Sequence, residues 1–375
     1  MALPPHVRDD WARTVSSGII ATLKPICRPP SPRKLNPMKL RVGLIGLGSS
    51  WQKRHAPVLR AMNDRIEVRG VCEQVSHRAE QAAAAFDARL YHSFRALIRA
   101  EDIDAVLMLA PQWYGPLPIL AACDSGKAVY CAMALNIDLQ SAYKLKKRVE
   151  KSGIAFMAEL PKRHAPATLR LKELIATHLG NPRLIFCHQR LLVEEEQEHA
   201  EPPQGMPMFH MVELVDWCRF VVGNEPSTVT GVAHKAAGGG PYQTDYEMLS
   251  LQFAPIEGDG AMPVTAQLSC GHYLPTNWPE AIAFRPPSAM QVSCERGVAF
   301  IDFPSTVTWF DSAGRHRESL EADRPVGEQL LDHFFRAVTS LVRRQSDLND
   351  AYRSMAIVLA GRESEAEGRR IELDG

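Results

Sequence analysis

From Lys39 onward, short apolar runs alternate with amphipathic segments. LRVGLIG is followed by a helical stretch through HAPVLRAM, IEVRGVC by HRAEQAAAAF, DAVLMLA by LPILAACDSG, and AVYCA by SAYKLKKRVEKSG, before a last run, IAFMA. Compact apolar runs bounded by turn signals predict buried strands, and segments with helical spacing predict covering helices. Their alternation predicts a parallel sheet with helices on both faces. Gly126 and Gly153 stand just past two of these helices, where a left-handed residue ends the last turn. Beyond Ala158 the rhythm changes: PRLIFCHQRLLV, PSTVTGVAHK, YEMLSLQFA, VTAQLSC, AMQVSCERGVAFIDF and TVTWFD read as longer strands, with one early helix around MVELVDWCRFVVG. That half predicts a large, open, mainly antiparallel sheet. The tail returns to helical spacing in EQLLDHFFRAV and AYRSMAIVLAG. The expected fold class is α/β, with one domain over residues 38–158 and a second α/β domain with C-terminal helices over 159–375. Residues 1–37, ending in KPICRPPSPRKLNP, read as a flexible extension, with a true start at Met38 as the alternative.

Composition narrows the partners. Lys plus Arg and Asp plus Glu both total 43, so no net field draws in nucleic acid or an anionic membrane, and a small-molecule partner is expected. The eight cysteines are scattered without a C-x-x-C pair or zinc spacing, and no signal peptide or membrane-spanning run is found. A cytoplasmic location is expected.

The candidate chemistry begins at VGLIGLGSSW. Gly46 and Gly48 end the first strand and precede a helix inside a β-α-β unit, the setting in which a tight turn lets backbone approach a pyrophosphate at a helix N-terminus. Ser49 and Trp51 complete this candidate cofactor turn. Trp51 occupies the place of a third glycine, which requires a shifted helix or an indole pointing outward near the cofactor. Glu73 ends the second strand, where an acidic side chain accepts from the adenosine ribose. It favours NAD, while nearby Arg78 keeps NADP open. Pro111 and Gln112 follow the strand DAVLMLA and are assigned to the cofactor site. Trp113 and Tyr114 beside them either wall the pocket or pack under the next helix.

With these pieces placed, the chain from about Lys39 to Leu373 resembles the glucose-fructose oxidoreductase and inositol dehydrogenase family, Gfo/Idh/MocA. GLIGLGSSW looks like its glycine turn, and DAVLMLAPQWYGPLPILAACDSGKAVYCAMAL like its strand, Thr-Pro-Asn, helix, Ala-Gly-Lys, strand and Glu-Lys-Pro. VELVDWCRFVVGNEP resembles its His-x-x-Asp helix, and AGRESEAEGRRIEL its closing helix and strand. The resemblance implies a Rossmann domain followed by an α/β domain that often supplies an oligomer interface, so a homo-oligomer is expected. It also implies NAD or NADP as cofactor and hydride transfer with a carbohydrate-like hydroxyl compound. The family's Lys and His beside the nicotinamide are replaced. Ala132, Met133 and Ala134 stand at Glu-Lys-Pro, Glu213 stands at the His while Asp216 keeps the Asp, and Ala110, Pro111 and Gln112 stand at Thr-Pro-Asn, with Gly115 where a His often follows.

Three residues are therefore candidates for catalysis. Glu213 is a base if apolar neighbours raise its pKa. His164 and Arg163, in PKRHAP, are a second base and an electrostatic clamp, Arg163 matching an arginine common in the family. Lys162 reads as an exposed linker residue. His210 and Glu213 share a helix face, but two such residues do not make a metal site and no metal is expected. The expectation is an NAD(P)-dependent oxidoreductase with a relocated acid-base group. The competing readings are a non-catalytic dinucleotide-binding sensor or scaffold, and lyase or glycoside-cleavage chemistry that uses NAD transiently.

Overall fold

The computed structural model describes residues 39–132, 137–193, 208–234, 246–255, 263–275, 280, 288–320, 324–340 and 346–373. The predicted extension and Met133 lie outside the described residues. Six parallel strands form the first sheet in the order β3-β2-β1-β4-β5-β6, from β1 (Leu40–Ile45), β2 (Ile66–Cys72), β3 (Arg89–Leu90), β4 (Ala105–Met108), β5 (Ala128–Cys131) and β6 (Phe156–Ala158). The sequence pattern predicted five of these. The sixth, β3, is an exposed two-residue edge strand with no apolar run to signal it. Strands β4 and β5 are buried at every position, as a sheet covered on both faces requires. Gly126 and Gly153 close their helices at φ 66° and 64°.

The order reverses direction between β1 and β4, and ligand crevices open at the carboxyl ends of strands at such a switch point. Here the two turns touch. Gly46 and Gly48 have φ 65° and 66°. A Cβ on Gly46 would lie 2.7 Å from the Ala110 Cβ, and one on Gly48 would lie 2.3 Å from the Leu109 carbonyl oxygen. Only glycine fits at either position.

The second sheet has nine strands, β7 (Pro182–Val193), β8 (Pro226–His234), β9 (Tyr246–Phe253), β10 (Val264–Pro275), β11 (Met290–Cys294), β12 (Val298–Asp302), β13 (Thr306–Asp311), β14 (Gly314–Ser319) and β15 (Ile371–Glu372), in the order β14-β13-β12-β11-β7-β10-β9-β8-β15. It is antiparallel apart from the central pair β7 and β10, which run parallel. Its covering helix, Met208–Val222, is apolar around most of its circumference, as an enclosed helix must be. Trp217 is fully buried and donates from Nε1 to Thr168 Oγ1 at 2.8 Å.

The carboxyl-terminal helices return to the first sheet. Helix Val326–Thr339 places Leu330, Leu331 and Phe334 in one core with Leu44, Leu59 and Tyr130, the Phe334 and Tyr130 rings meeting edge to face at 5.6 Å. The nucleotide half is thus completed by residues far beyond its last strand. No helix among the described residues is long and apolar enough to cross a membrane.

Candidate functional site

Between the glycine turn, the end of β5 and the second sheet lies a cleft of about 480 Å³. Ser49, Ser50 and Arg54 line it from the turn side and Ala132 from β5. Pro161 and Lys162 come from the single tight turn Pro161–His164, and Gln189 from β7. Phe209, His210 and Glu213 come from helix Met208–Val222, Phe303 and Pro304 from the segment after Asp302, and Val326 from the first C-terminal helix. Glu213 therefore faces the crevice that the glycine turn opens onto.

The helix Met208–Val222 presents its polar groups as one stripe. His210, Glu213, Asp216 and Arg219 recur every third residue, so each neighbours the next about 60° round the helix and the row winds from the cleft towards the opposite side. Glu213 sits at the cleft end, with Oε2 3.9 Å from Lys162 Nζ. Burial pushes its carboxyl up, and the charges of Lys162 and Arg54 pull it partly back. His210 Nδ1 lies 3.1 Å from Gln189 Nε2.

Arg163 and His164 turn away from the cleft. The Arg163 guanidinium grips both oxygens of Asp216 and donates from Nη1 to Asp350 Oδ2 at 2.7 Å. All its effort goes into joining the stripe to the last helix, Ser346–Glu367, so it cannot also clamp a substrate. The His164 ring packs edge-on against His333 at 4.9 Å, and burial, reinforced by His333 and Arg163, lowers it to about 4. It stays neutral outside the cleft wall. Lys162, expected to be exposed, is instead 14% exposed and lies in the cleft. The turn explains the divergence: at three residues per turn, consecutive side chains leave about 120° apart.

Two cleft features carried no notice in the sequence. Arg54 places Nη1 2.8 Å from Glu159 Oε1 and donates from Nη2 to Ser50 Oγ at 3.1 Å. Glu159, directly after β6, has a fully covered side chain, and burial pushes its carboxyl up to about 7 against the pull of Arg54. Beside it His55 is driven down to about 3 by burial and the Arg54 charge. A charged residue at the end of a buried strand was the available signal.

On the nucleotide side, Leu47 N–H donates to Glu73 Oε2 at 2.7 Å, while Gln74 and Val75 N–H donate to Oε1 at 2.9 and 3.2 Å. Arg78 Nη2 donates to the Gly48 carbonyl at 2.9 Å. Glu73 and Arg78 together brace the glycine turn, so Arg78 is committed to backbone. Trp51 does not point outward. It is buried against Phe86, ring centres 5.8 Å apart, because the helix starts with its first turn pressed onto the core. Pro111 begins a single helical turn, Pro111–Tyr114, just past the end of β4, and Gln112 lies in it. Tyr114 packs beneath Gly46 while Trp113 is 65% exposed.

A family model described as an oxidoreductase family with an NAD-binding Rossmann fold, GFO_IDH_MocA, matches residues 40–160. Residues 40–160 thus form a Rossmann domain of that family's kind. Inositol 2-dehydrogenase 3 of Saccharopolyspora erythraea is 26% identical over 189 residues, covering 48% of this chain and 54% of that protein. The 2,7-anhydro-N-acetylneuraminate hydratase of Escherichia coli is 22% identical over 248 residues, covering 64% and 63%. The chain spans about half the length of the first curated relatives it matches. The aldose-aldose oxidoreductase of Caulobacter crescentus, solved with glycerol, has the same fold: TM-score 0.76 at 15% identity, covering 90% of this chain and 100% of that one.

The glycine turn of this domain suits a dinucleotide. Two positive-φ glycines leave no room for a side chain, and the Leu47 N–H between them is already met by an anionic oxygen, that of Glu73. That bond takes up the Leu47 donor, so a pyrophosphate would meet the remaining N–H groups of the turn.

Proposed function

We propose that the chain is an NAD(P)-dependent oxidoreductase acting on a hydroxyl-bearing carbon of a sugar, cyclitol or similar polyol, with Glu213 accepting the hydroxyl proton. The observation that carries this reading is the shared wall: Glu213 of the second domain and Ser49–Ser50 of the glycine turn line one cleft. Gly46, Gly48 and Ser49 would hold the pyrophosphate, Pro111 and Gln112 the crevice edge, and Glu73, with three backbone N–H groups already on its oxygens, the adenosine ribose through its remaining acceptor site. The nicotinamide, when bound, supplies the hydride chemistry. Glu73 supports NAD over NADP, since a 2′-phosphate would meet a like charge. A raised carboxyl is suited to general-base work near neutral pH, where a positioned base contributes roughly a hundredfold to ten-thousandfold. The names of the relatives, an inositol dehydrogenase and an aldose-aldose oxidoreductase, support a polyol substrate.

Calorimetry with NADH and NADPH tests the cofactor half, with Gly48→Asp as the blocked turn. NADH binding that the variant loses is expected, and no binding to either dinucleotide by the wild-type chain would sink the reading. A second reading, a dinucleotide-binding scaffold, draws on Ala132 and Met133, which bring no proton-handling group to the β5 end. It expects tight NADH binding and no turnover of any polyol.

A further inference from the structure

Four lysines of the described chain are substantially covered by other residues, and they are served differently; Lys146, outside the cleft, lies 3.7 Å from Glu150 Oε1 and 4.9 Å from the Tyr352 ring centre. Lys127 donates from Nζ to the carbonyls of Ala100, at 2.6 Å, and Ile103. Lys172 donates to the Phe220 carbonyl at 2.7 Å. Lys162 makes no hydrogen bond to any described residue. Its ammonium lies 4.9 Å from the Phe303 ring centre and 5.4 Å from that of Trp217, with Glu213 at 3.9 Å, beyond hydrogen-bond reach. The ammonium opens onto the cleft, so its three donors are available there to a substrate oxygen. The rings fix where the charge sits without consuming its donors. Arg54, the other cation on this wall, turns Nη1 to Glu159 and Nη2 to Ser50, while its Nε is buried without a partner.

We infer that Lys162 is a catalytic residue: its ammonium donates to the substrate oxygen in the cleft while Glu213, beside it, takes the hydroxyl proton. The inference rests on the oxidoreductase reading above. In the oxidation direction the carbinol C–H bond breaks and its hydrogen leaves with both electrons, as hydride, to the nicotinamide of NAD(P)⁺. The O–H bond breaks with its proton passing to Glu213, and the carbon–oxygen double bond forms. Lys162 keeps its own proton throughout and stabilises the negative charge that grows on oxygen, a role in which a single donor is worth about a hundredfold to a thousandfold.

Lys162→Met removes the charge at similar reach, and Lys162→Gln serves as a second variant should the first fold poorly. The purified full chain is assayed with NAD and a panel of polyols, cyclitols and aldoses, beside NADH calorimetry and infrared titration of the carboxyl groups with Glu213→Gln as the assigning control. The expected result is kcat lower by about a hundredfold or more with NADH affinity kept. The Glu213 titration and the lower limb of the kcat/KM profile should both move to higher pH, which a merely structural lysine would not do. Turnover within threefold of wild type, with an unmoved Glu213 titration, overturns the assignment of Lys162 alone. No NADH binding, or binding without turnover of the panel, by the wild-type chain overturns the oxidoreductase reading and this assignment with it.

Discussion

At the cleft end of the polar stripe, Glu213 faces one ammonium 3.9 Å away. Three residues on, Asp216 has both oxygens held by Arg163, with Arg219 Nη1 at 3.5 Å. Arg219 in turn donates to both oxygens of Glu225, to Asp350 and to Ser354. One helix thus carries two carboxylates in opposite circumstances, Glu213 half-buried at the cleft and Asp216 fully covered. A saturated carboxylate has no lone pair left for a substrate and ties elements together. An undersupplied one in a cleft is held at an energetic disadvantage that chemistry can use. The contrast sorts residues by what their polar atoms are already doing, which residue type alone does not reveal.

The comparison is broken most severely by Glu213→Gln. Turnover should fall between roughly a hundredfold and ten-thousandfold, while the melting temperature stays put or rises, because a buried charge is removed. A fall in stability with turnover retained would place Glu213 among the structural ions. Arg163→Ala is the mirror experiment. Asp216 would be left buried without its partner, at a cost of about 3–5 kcal/mol read by urea unfolding. Unchanged stability there would mean that Arg219 alone suffices.

The Glu159 site allows a finer cut. Its carboxyl titrates at about 7 in the folded chain against an ordinary 4.5, so the folded state binds the extra proton between those values and this group's contribution to stability falls as pH rises through them. His55 and His164 are lowered to about 3 and about 4 from 6.5, so there the unfolded chain binds the extra proton and stability rises with pH up to about 6.5. Between 4.5 and 6.5 the slopes oppose. Glu159→Gln removes the falling one, and the stability gained from pH 5 to pH 7 should increase by about 2 kcal/mol. An unaltered pH profile in that variant would show that Arg54 keeps Glu159 ionised throughout. The smallest effect is expected from Glu225→Gln, about 1 kcal/mol, since Arg219 keeps Asp350 and Ser354. A loss matching that of Arg163→Ala would show the network to be less redundant than its geometry.

Much of the fold was legible because periodicity reports burial. The strands of the first sheet, the glycine turn and the enclosed helix Met208–Val222 all declare themselves by which positions are apolar. What escaped was direction. PKRH names three cationic or titratable side chains in a row, and only the tight turn decides that Lys162 enters the cleft, Arg163 the ion network and His164 a ring pair. Strand β3 escaped because two exposed residues carry no period. Glu213 was legible as a base candidate, since a carboxylate among MVELVDW must either be paired or perturbed. Trp51 was legible as an anomaly, though its inward turn was not.

The helix Val326–Thr339 has a consequence for how this chain comes off the ribosome. Leu330, Leu331 and Phe334 fill the core behind β1 and β5, yet they are made after the whole of the second sheet up to Ser319. A nascent chain that has emerged only as far as β6 therefore carries a nucleotide half with an uncovered apolar face around Leu59 and Tyr130. Domains usually fold in the order of synthesis. Here the first half is expected to stay protease-sensitive until the last fifty or so residues arrive, so that stalled chains ending near residue 320 should be cleaved within residues 39–132 while the full chain resists.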